Sequence, residues 1–200
     1  MEQQAVLKGE KVILRSYSQG GGLAEDELRR QYRWDHDAEI RRLSGAPKKR
    51  ATFVEFKHFW EEERRRPRST RLLYAIYTLE EEMIGRISCS GIDRDRGRGE
   101  LGIVIGERDY WNQGYGRDAI RTFLDYLFGP VGLRKVSLFT FQDNVRAQHC
   151  FEACGFEVLG RRLRVTLDME KQEGIDMGIE ADAFRKRERE RSRSGFDLRR

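Results

Sequence analysis

The stretch ELGIVIGERDYWNQGYGRDA, residues 100–119, constrains this chain more than any other. An apolar strand closes near Gly106, a loop follows, and Gly114 and Gly116 stand immediately before a helical pattern. That pattern is Ile120, Phe123, Leu124 and Leu127, spaced i, i+3, i+4, i+7. The first N–H groups of a helix have no intrahelical acceptor, and the helix dipole adds positive potential there. Glycines at such a start let an anion approach the backbone closely. Residues 113–117 therefore form a candidate phosphate site. The segment also spells the dinucleotide pattern G-x-G-x-x-A from Gly114 to Ala119. Context opposes that reading, because a dinucleotide fingerprint follows its strand at once and opens a parallel βαβ unit.

The remaining elements predict an α+β architecture. A short strand is expected at Lys11–Arg15, with a break at Gly20–Gly22. Helical stretches are expected from Ala24 to Trp34 and from Ala38 to Leu43. Thr52-Phe53-Val54-Glu55 is a capping box that opens a helix with Phe53, Phe56 and Trp60 on one face, and Pro67 bars its continuation. Three strands follow, Leu72–Leu79, Met83–Ile92 and Glu100–Ile105, with connections short enough for an antiparallel meander. After the glycine-opened helix, Gly129-Pro130 provides a stop. A strand at Lys135–Phe141 and a helix from Asn144 to Cys154, ended by Gly155, come next. Phe156–Leu167 and Ile175–Ala183 read as a closing hairpin. The chain is thus a mixed, mostly antiparallel sheet flanked by helices.

Charge sets the domain boundary. Of a net charge of +5, the whole excess lies in residues 185–200, leaving residues 1–184 neutral. Residues 1–184 are expected to form one domain, and 185–200 a charged, mobile tail. A neutral domain is no polyanion binder, so nucleic-acid contact is expected only through the tail. Three cysteines make no disulfide framework and fit a reducing cytoplasm. No apolar run is long enough to cross a membrane. No metal site is expected, because His149, Cys150 and Cys154 come from one helix and supply too few convergent ligands. Cys150 and Cys154 fall on its apolar face and read as packing.

The glycine segment resembles the acetyl-CoA-binding motif of the GNAT superfamily, in particular the ribosomal-protein N-terminal acetyltransferase branch. A second stretch is similar to the family's next helix: Asp143-Asn144-Val145-Arg146-Ala147, ending Phe151-Glu152-Ala153-Cys154-Gly155-Phe156. Trp34-Asp-His-Asp-Ala-Glu-Ile resembles a segment near that branch's substrate cleft. The resemblance implies a GNAT fold and acetyl-CoA as co-substrate. Backbone amides from Gln113, Gly114, Tyr115, Gly116 and Arg117 would bind the pyrophosphate. Val104 and Ile105, on a strand splayed from its neighbour, would pair with the pantetheine amides. Asn144 would contact the cofactor near its pantetheine or thiol end, and Trp34 would line the substrate cleft or simply anchor its helix. Trp111 departs from the Arg or Gln that the family often places three residues before the first glycine.

The implied chemistry is acetyl transfer to a primary amine, either a peptide N-terminus or a small molecule, in a ternary complex. The amine must lose a proton before attack. Glu100 resembles the carboxylate that several members use as base; a surface carboxylate beside Arg98 is the alternative. Many members place Tyr where Phe151 stands, and the branch often has Ser where Ala147 stands, so both hydroxyls are missing. Either the thiolate leaves unaided or Tyr110 or Tyr115 protonates it. The missing hydroxyls also leave open a catalytically silent acyl-CoA-binding module, and a homodimer is compatible with either reading.

Overall fold

A computed structural model describes residues 5–17, 23–44, 51–65, 70–165 and 171–197. The expected breaks at Gly20–Gly22 and Pro67, and part of the connection from residue 168, lie outside the described residues. Eight strands form one sheet: β1 (Val6–Lys8), β2 (Val12–Ser16), β3 (Leu72–Thr78), β4 (Met83–Asp93), β5 (Arg98–Ile105), β6 (Lys135–Phe141), β7 (Glu157–Val165) and β8 (Lys171–Glu180). Their order is β1-β2-β3-β4-β5-β6-β8-β7. Every neighbouring pair is antiparallel except β5 and β6, which run parallel. Among the described residues, six α-helices complete the fold: α1 (Glu25–His36), α2 (Ala38–Ser44), α3 (Phe53–Arg65), α4 (Tyr115–Phe128), α5 (Val145–Cys154) and α6 (Ala181–Asp197).

Strand alternation turns side chains to two separate cores. One core joins Leu14, Tyr74, Ile76, Ile87 and Leu101 to α4 and α5. The other joins Ala75, Tyr77 and Met83 to Leu28, Trp34 and Trp60 of α1 and α3. The expected α4 face is fully buried: Ile120, Phe123, Leu124 and Leu127 are each 0% exposed. Burial of a side chain of that size contributes about 1.5–3 kcal/mol. Asp118 fixes the helix start against the sheet, its Oδ2 accepting from the N–H groups of Lys11 at 2.7 Å and Val12 at 3.1 Å.

The local cap signals are realised. Thr52 N–H donates to Glu55 Oε2 at 2.7 Å and Glu55 N–H to Thr52 Oγ1 at 3.3 Å. Asn144 caps α5 by accepting from Ala147 N–H at 3.3 Å. Gly155, at φ 98°, ends that helix.

Three features differ from expectation. β8 starts at Lys171 instead of Ile175, and Ala181–Ala183 belong to α6. β1 is an additional edge strand, paired with β2. The domain boundary expected at residue 184 falls inside α6. Arg121 and Glu188 form an ion pair at the α4–α6 contact, Arg191 pairs with Glu10, and Arg185 Nη2 donates to Phe128 O at 2.9 Å. The reason is that the charges of this segment meet opposite charges on distant parts of the chain.

Candidate active site

β5 and β6 are paired only from Arg98–Lys135 to Glu100–Ser137. Beyond that point β5 continues to Ile105 and β6 to Phe141, and the strands diverge. A cleft of about 740 Å³ opens in the fork. It runs between the two faces of the sheet, because Ile103 and Ile105 pack on the α4 side and Val104 on the α1–α3 side. Val104 and Ile105 both line it. Gly106 N–H donates to Ile84 O at 2.8 Å on the β4 side. Alternation along an antiparallel pair therefore turns the peptide groups of Ile103 and Ile105 toward the fork. There the Ile105 carbonyl accepts from Trp111 Nε1 at 2.8 Å. Trp111, the departure from the family pattern, thus ties the loop to the strand end.

The loop delivers helix α4 to one side of the fork. Asn112 and Gly114 adopt left-handed backbone, at φ 60° and 88°. Asn tolerates that region and Gly occupies it without strain. Gly114 offers no side-chain cap, and Asp118 N–H is the donor that closes the first turn, onto Gly114 O at 3.0 Å. The N–H groups of Tyr115, Gly116 and Arg117 precede that bond in the helix's first turn. Gly114, Gly116 and Arg117 line the cleft. A Cβ at Gly116 would sit 3.7 Å from Cys150 Sγ and Ile105 Cγ1, which is ordinary contact. A larger side chain there would extend further toward these cleft-lining residues.

Gln113 and Tyr115 are not among the cleft-lining residues. The Gln113 carbonyl accepts from Lys11 Nζ at 3.1 Å, and Tyr115 packs edge-on against Tyr110, with ring centroids 5.0 Å apart. The role expected of them uses backbone N–H groups and does not depend on these side chains.

Across the fork, α5 and its cap contribute Asn144, Arg146, Ala147, Cys150 and Phe151. Asn144 lines the cleft while its Nδ2 donates to Leu43 O at 3.4 Å. Arg146 stacks on Trp111, its Cζ 3.5 Å from the ring centroid. Burial lowers the Arg146 pKa. Cys150 faces the cleft, whereas Cys154 is 3% exposed in the core. The neighbouring Cys150 thiol, and then burial, push the Cys154 thiol up.

The opposite end of the cleft is built from separate elements: Leu43 of α2, Trp60 of α3, Leu73 of β3, Arg86 and Ser88 of β4, and Arg71 just before β3. Arg86 is held by Asp35 at 2.6 Å and by Gln31 Oε1 at 3.4 Å. Arg71 pairs with Glu63. Asp37 caps α2, with Oδ1 accepting from Glu39 N–H at 2.9 Å and Ile40 N–H at 3.0 Å. The alternation of Arg86 and Ser88 with Ile87 and Cys89, on a strand flanked on both sides, is the signal that could have found the β4 pair.

Trp34 corrects an expectation. It is 3% exposed and does not line the cleft. Its ring packs on Gly106, where a Cβ would come within 2.0 Å, and its Nε1 donates to Glu107 Oε1 at 3.0 Å. The indole is large enough to fill the space beneath the strand end, so it supports β5 instead of facing the acceptor. Glu100 is exposed, stands at the last paired position before the fork, and is not a cleft-lining residue. By strand alternation it shares the α1–α3 face with Gly102 and Val104. Phe151 and Ala147 put no hydroxyl in the cleft. The Tyr110 hydroxyl donates to Glu82 Oε2 at 2.7 Å, and that bond pushes its pKa up to about 12. Among the described residues, no three His, Cys, Asp or Glu side chains gather as a metal site, and no helix is long and apolar enough to cross a membrane.

The family model of the acetyltransferase (GNAT) domain matches residues 22–157. The chain belongs to the GNAT acetyltransferase family. Within curated proteins, it is 26% identical over 108 residues to the uncharacterized N-acetyltransferase p20 of Bacillus licheniformis, covering 54% of this chain and 58% of that protein. It is 28% identical over 83 residues to spermidine N(1)-acetyltransferase of Vibrio cholerae serotype O1, covering 42% of this chain and 47% of that one. The matched stretch thus spans about half the length of these curated relatives. Its fold is shared with spermidine N-acetyltransferase from Vibrio cholerae, solved in complex with CoA and spermine. That match has a TM-score of 0.73, 20% identity, and covers 86% of this chain and 97% of that one. A GNAT-family acetyltransferase from Bacillus anthracis matches with a TM-score of 0.72, 15% identity and 88% and 99% coverage. These likenesses establish the GNAT fold, an eight-stranded mixed sheet with six helices among the described residues.

Proposed function

We propose that this GNAT chain is an N-acetyltransferase that moves the acetyl group of acetyl-CoA to a primary amine in a ternary complex. One observation carries the reading: a β5–β6 fork meets a glycine-opened helix, and the cleft between them joins both faces of the sheet. The residues fit the co-substrate. First-turn N–H groups of Tyr115, Gly116 and Arg117 suit a pyrophosphate, with Arg117 adding charge. The fork-facing peptide groups of Ile103 and Ile105 suit the amides of pantetheine. Asn144, on the facing helix, stands where the other side of that arm would lie.

Acetyl-CoA supplies a thioester carbonyl and a thiolate leaving group. The chain's task is to hold a neutral amine against that carbonyl and to remove the amine's proton. Glu100, the carboxylate at the foot of the fork, takes the proton through water. No side-chain acid is assigned to the thiolate, because Tyr110 is committed to Glu82 and Phe151 has no hydroxyl. An unaided thiolate, with an ordinary pKa near ~8.5, is an adequate leaving group.

The acceptor is a primary amine, of which the peptide N-terminus of the ribosomal-protein branch is one form. The test is thiol release from acetyl-CoA with a panel of peptides and small amines. Turnover with at least one acceptor is expected. CoA binding without turnover on any amine would contradict the transfer reading and leave an acyl-CoA-binding module.

A further inference from the structure

We infer that the acceptor carries a carboxylate beside its amine, read by Arg86 with Arg71 beyond it. The inference rests on the transfer reading above and adds the acceptor's chemical class. Four arginines line the cleft: Arg71, Arg86, Arg117 and Arg146. Among the described lining residues there is no Asp or Glu. The sequences of residues 45–50 and 66–69, which connect α2 to α3 and α3 to β3, add no carboxylate. Arg117 and Arg146 belong to the phosphate-loop end, where the anionic groups of CoA account for positive charge. Arg71 and Arg86 do not. They stand at the α1–α3 end, so a co-substrate phosphate on the α4 helix start leaves them unexplained.

Their surroundings favour an anion. Arg86 is the cross-strand partner of Val104, directly beside the fork. Its guanidinium is fixed by Asp35 and Gln31, and Cζ lies 5.8 Å from the Trp60 ring centroid. Asp35 and Glu63 hold the two arginines from outside the lining, so the cations face inward and the carboxylates do not. A guanidinium has five donors, and the Asp35 and Gln31 bonds leave Arg86 with donors to spare. Arg71 Nε, buried, has no hydrogen-bond partner among the described residues. Ser88, on the same face, adds a hydroxyl at the level of Gly102. This end suits a bidentate carboxylate. It is unsuited to a polyamine, whose second and third ammonium groups would meet arginines instead of carboxylates.

The test uses matched acceptors on the full chain. Amino acids are compared with their carboxamides, peptides beginning with Asp or Glu with those beginning with Asn or Gln, and both sets with spermidine. The free carboxylate is expected to raise kcat/KM by ~10- to 100-fold over its amide, the range for a charged hydrogen bond. The amino-acid and peptide arms distinguish an α-carboxylate from a side-chain carboxylate. Arg86→Gln should raise KM for the carboxylate acceptor until the ratio nears one, while kcat/KM for the amide stays within about threefold. Arg86→Lys, which keeps the charge and loses the fork geometry, should fall between. Preference for spermidine, equal use of amide and acid, or equal losses on both in Arg86→Gln would overturn the inference. Calorimetry of the same pairs on the CoA-loaded chain reads the preference without turnover. Tighter binding of the acid there, with no transfer on any amine, would support the anion site and sink only the transfer reading. Indifference there would sink the anion site.

Discussion

The two ends of the cleft are built by different means. On the proposed reading, the working groups at the phosphate-loop end are backbone, namely the first-turn amides of α4 and the fork-facing peptides of β5. At the acceptor end they are side chains, Arg86, Arg71, Ser88 and Trp60, drawn from β4, the approach to β3, and α3. Backbone groups are insensitive to most substitutions and vulnerable only where a side chain would intrude. The acceptor end can change specificity one residue at a time.

The sharpest way to break this comparison is to intrude on the backbone end. Gly116→Val should weaken CoA binding by more than about 10²-fold, since two or more charge-assisted hydrogen bonds are lost at about 1.5–3 kcal/mol each. The fold should survive, because a Cβ at that position meets only ordinary contacts. Gly114→Val is a poorer probe. At φ 88° a β-branched residue is strained whether or not a ligand binds. Isothermal titration with CoA and a melting curve on each variant separate the two effects.

Glu100→Gln should lower kcat/KM by about 10²-fold and remove the acidic limb of the pH–rate profile, leaving CoA affinity unchanged. Wild-type rates with an unaltered profile would return Glu100 to the role of an exposed strand carboxylate.

Truncation after Phe184 tests whether α6 belongs to either end. It removes the Arg185 bond to Phe128 O and leaves Arg121 without Glu188. A loss of about 1–2 kcal/mol is expected, which lowers Tm by a few degrees in a chain of this size. CoA affinity should stay within twofold. An unchanged Tm would mean the helix adds nothing to the domain.

The smallest effect concerns the acceptor end alone. Partial burial pushes the Asp37 carboxyl up, but the Ile40 and Glu39 N–H groups and Arg108 outweigh it and hold it below the usual range. A depressed carboxyl stabilises above its unfolded pKa, near ~3.9, and that contribution is lost as pH falls through the folded value. Asp37→Ala should cost about 1 kcal/mol at neutral pH, the ordinary value of a helix cap. The difference in stability between variant and wild type should shrink below pH ~4.

The same division explains what could be read in advance. The α4 face, the Thr52–Glu55 box, the Asn144 cap and the Gly155 stop depend on residues within one or two turns of each other, so spacing reveals them. The fork needs only that β5 and β6 diverge after Glu100, and the family resemblance carries that. Alternation along β4 sets Arg86 and Ser88 on one face, but what orients Arg86 is Asp35, 51 positions away, which spacing does not reveal. The pairing of Glu188 with Arg121 and of Arg191 with Glu10 is not legible from the charge run at 185–200, because the partners lie 67 and 181 positions distant. Trp34 misled for a related reason. An indole beside a cleft and an indole beneath the strand that forms it have the same local sequence.

The central claim is that the co-substrate is held by backbone at the fork. Amide hydrogen exchange with and without CoA tests it most directly. Binding should slow exchange at Tyr115, Gly116 and Arg117 and at Ile103 and Ile105, and leave Arg71 to Ser88 unchanged. Tight CoA binding with no added protection at those five amides would contradict the account.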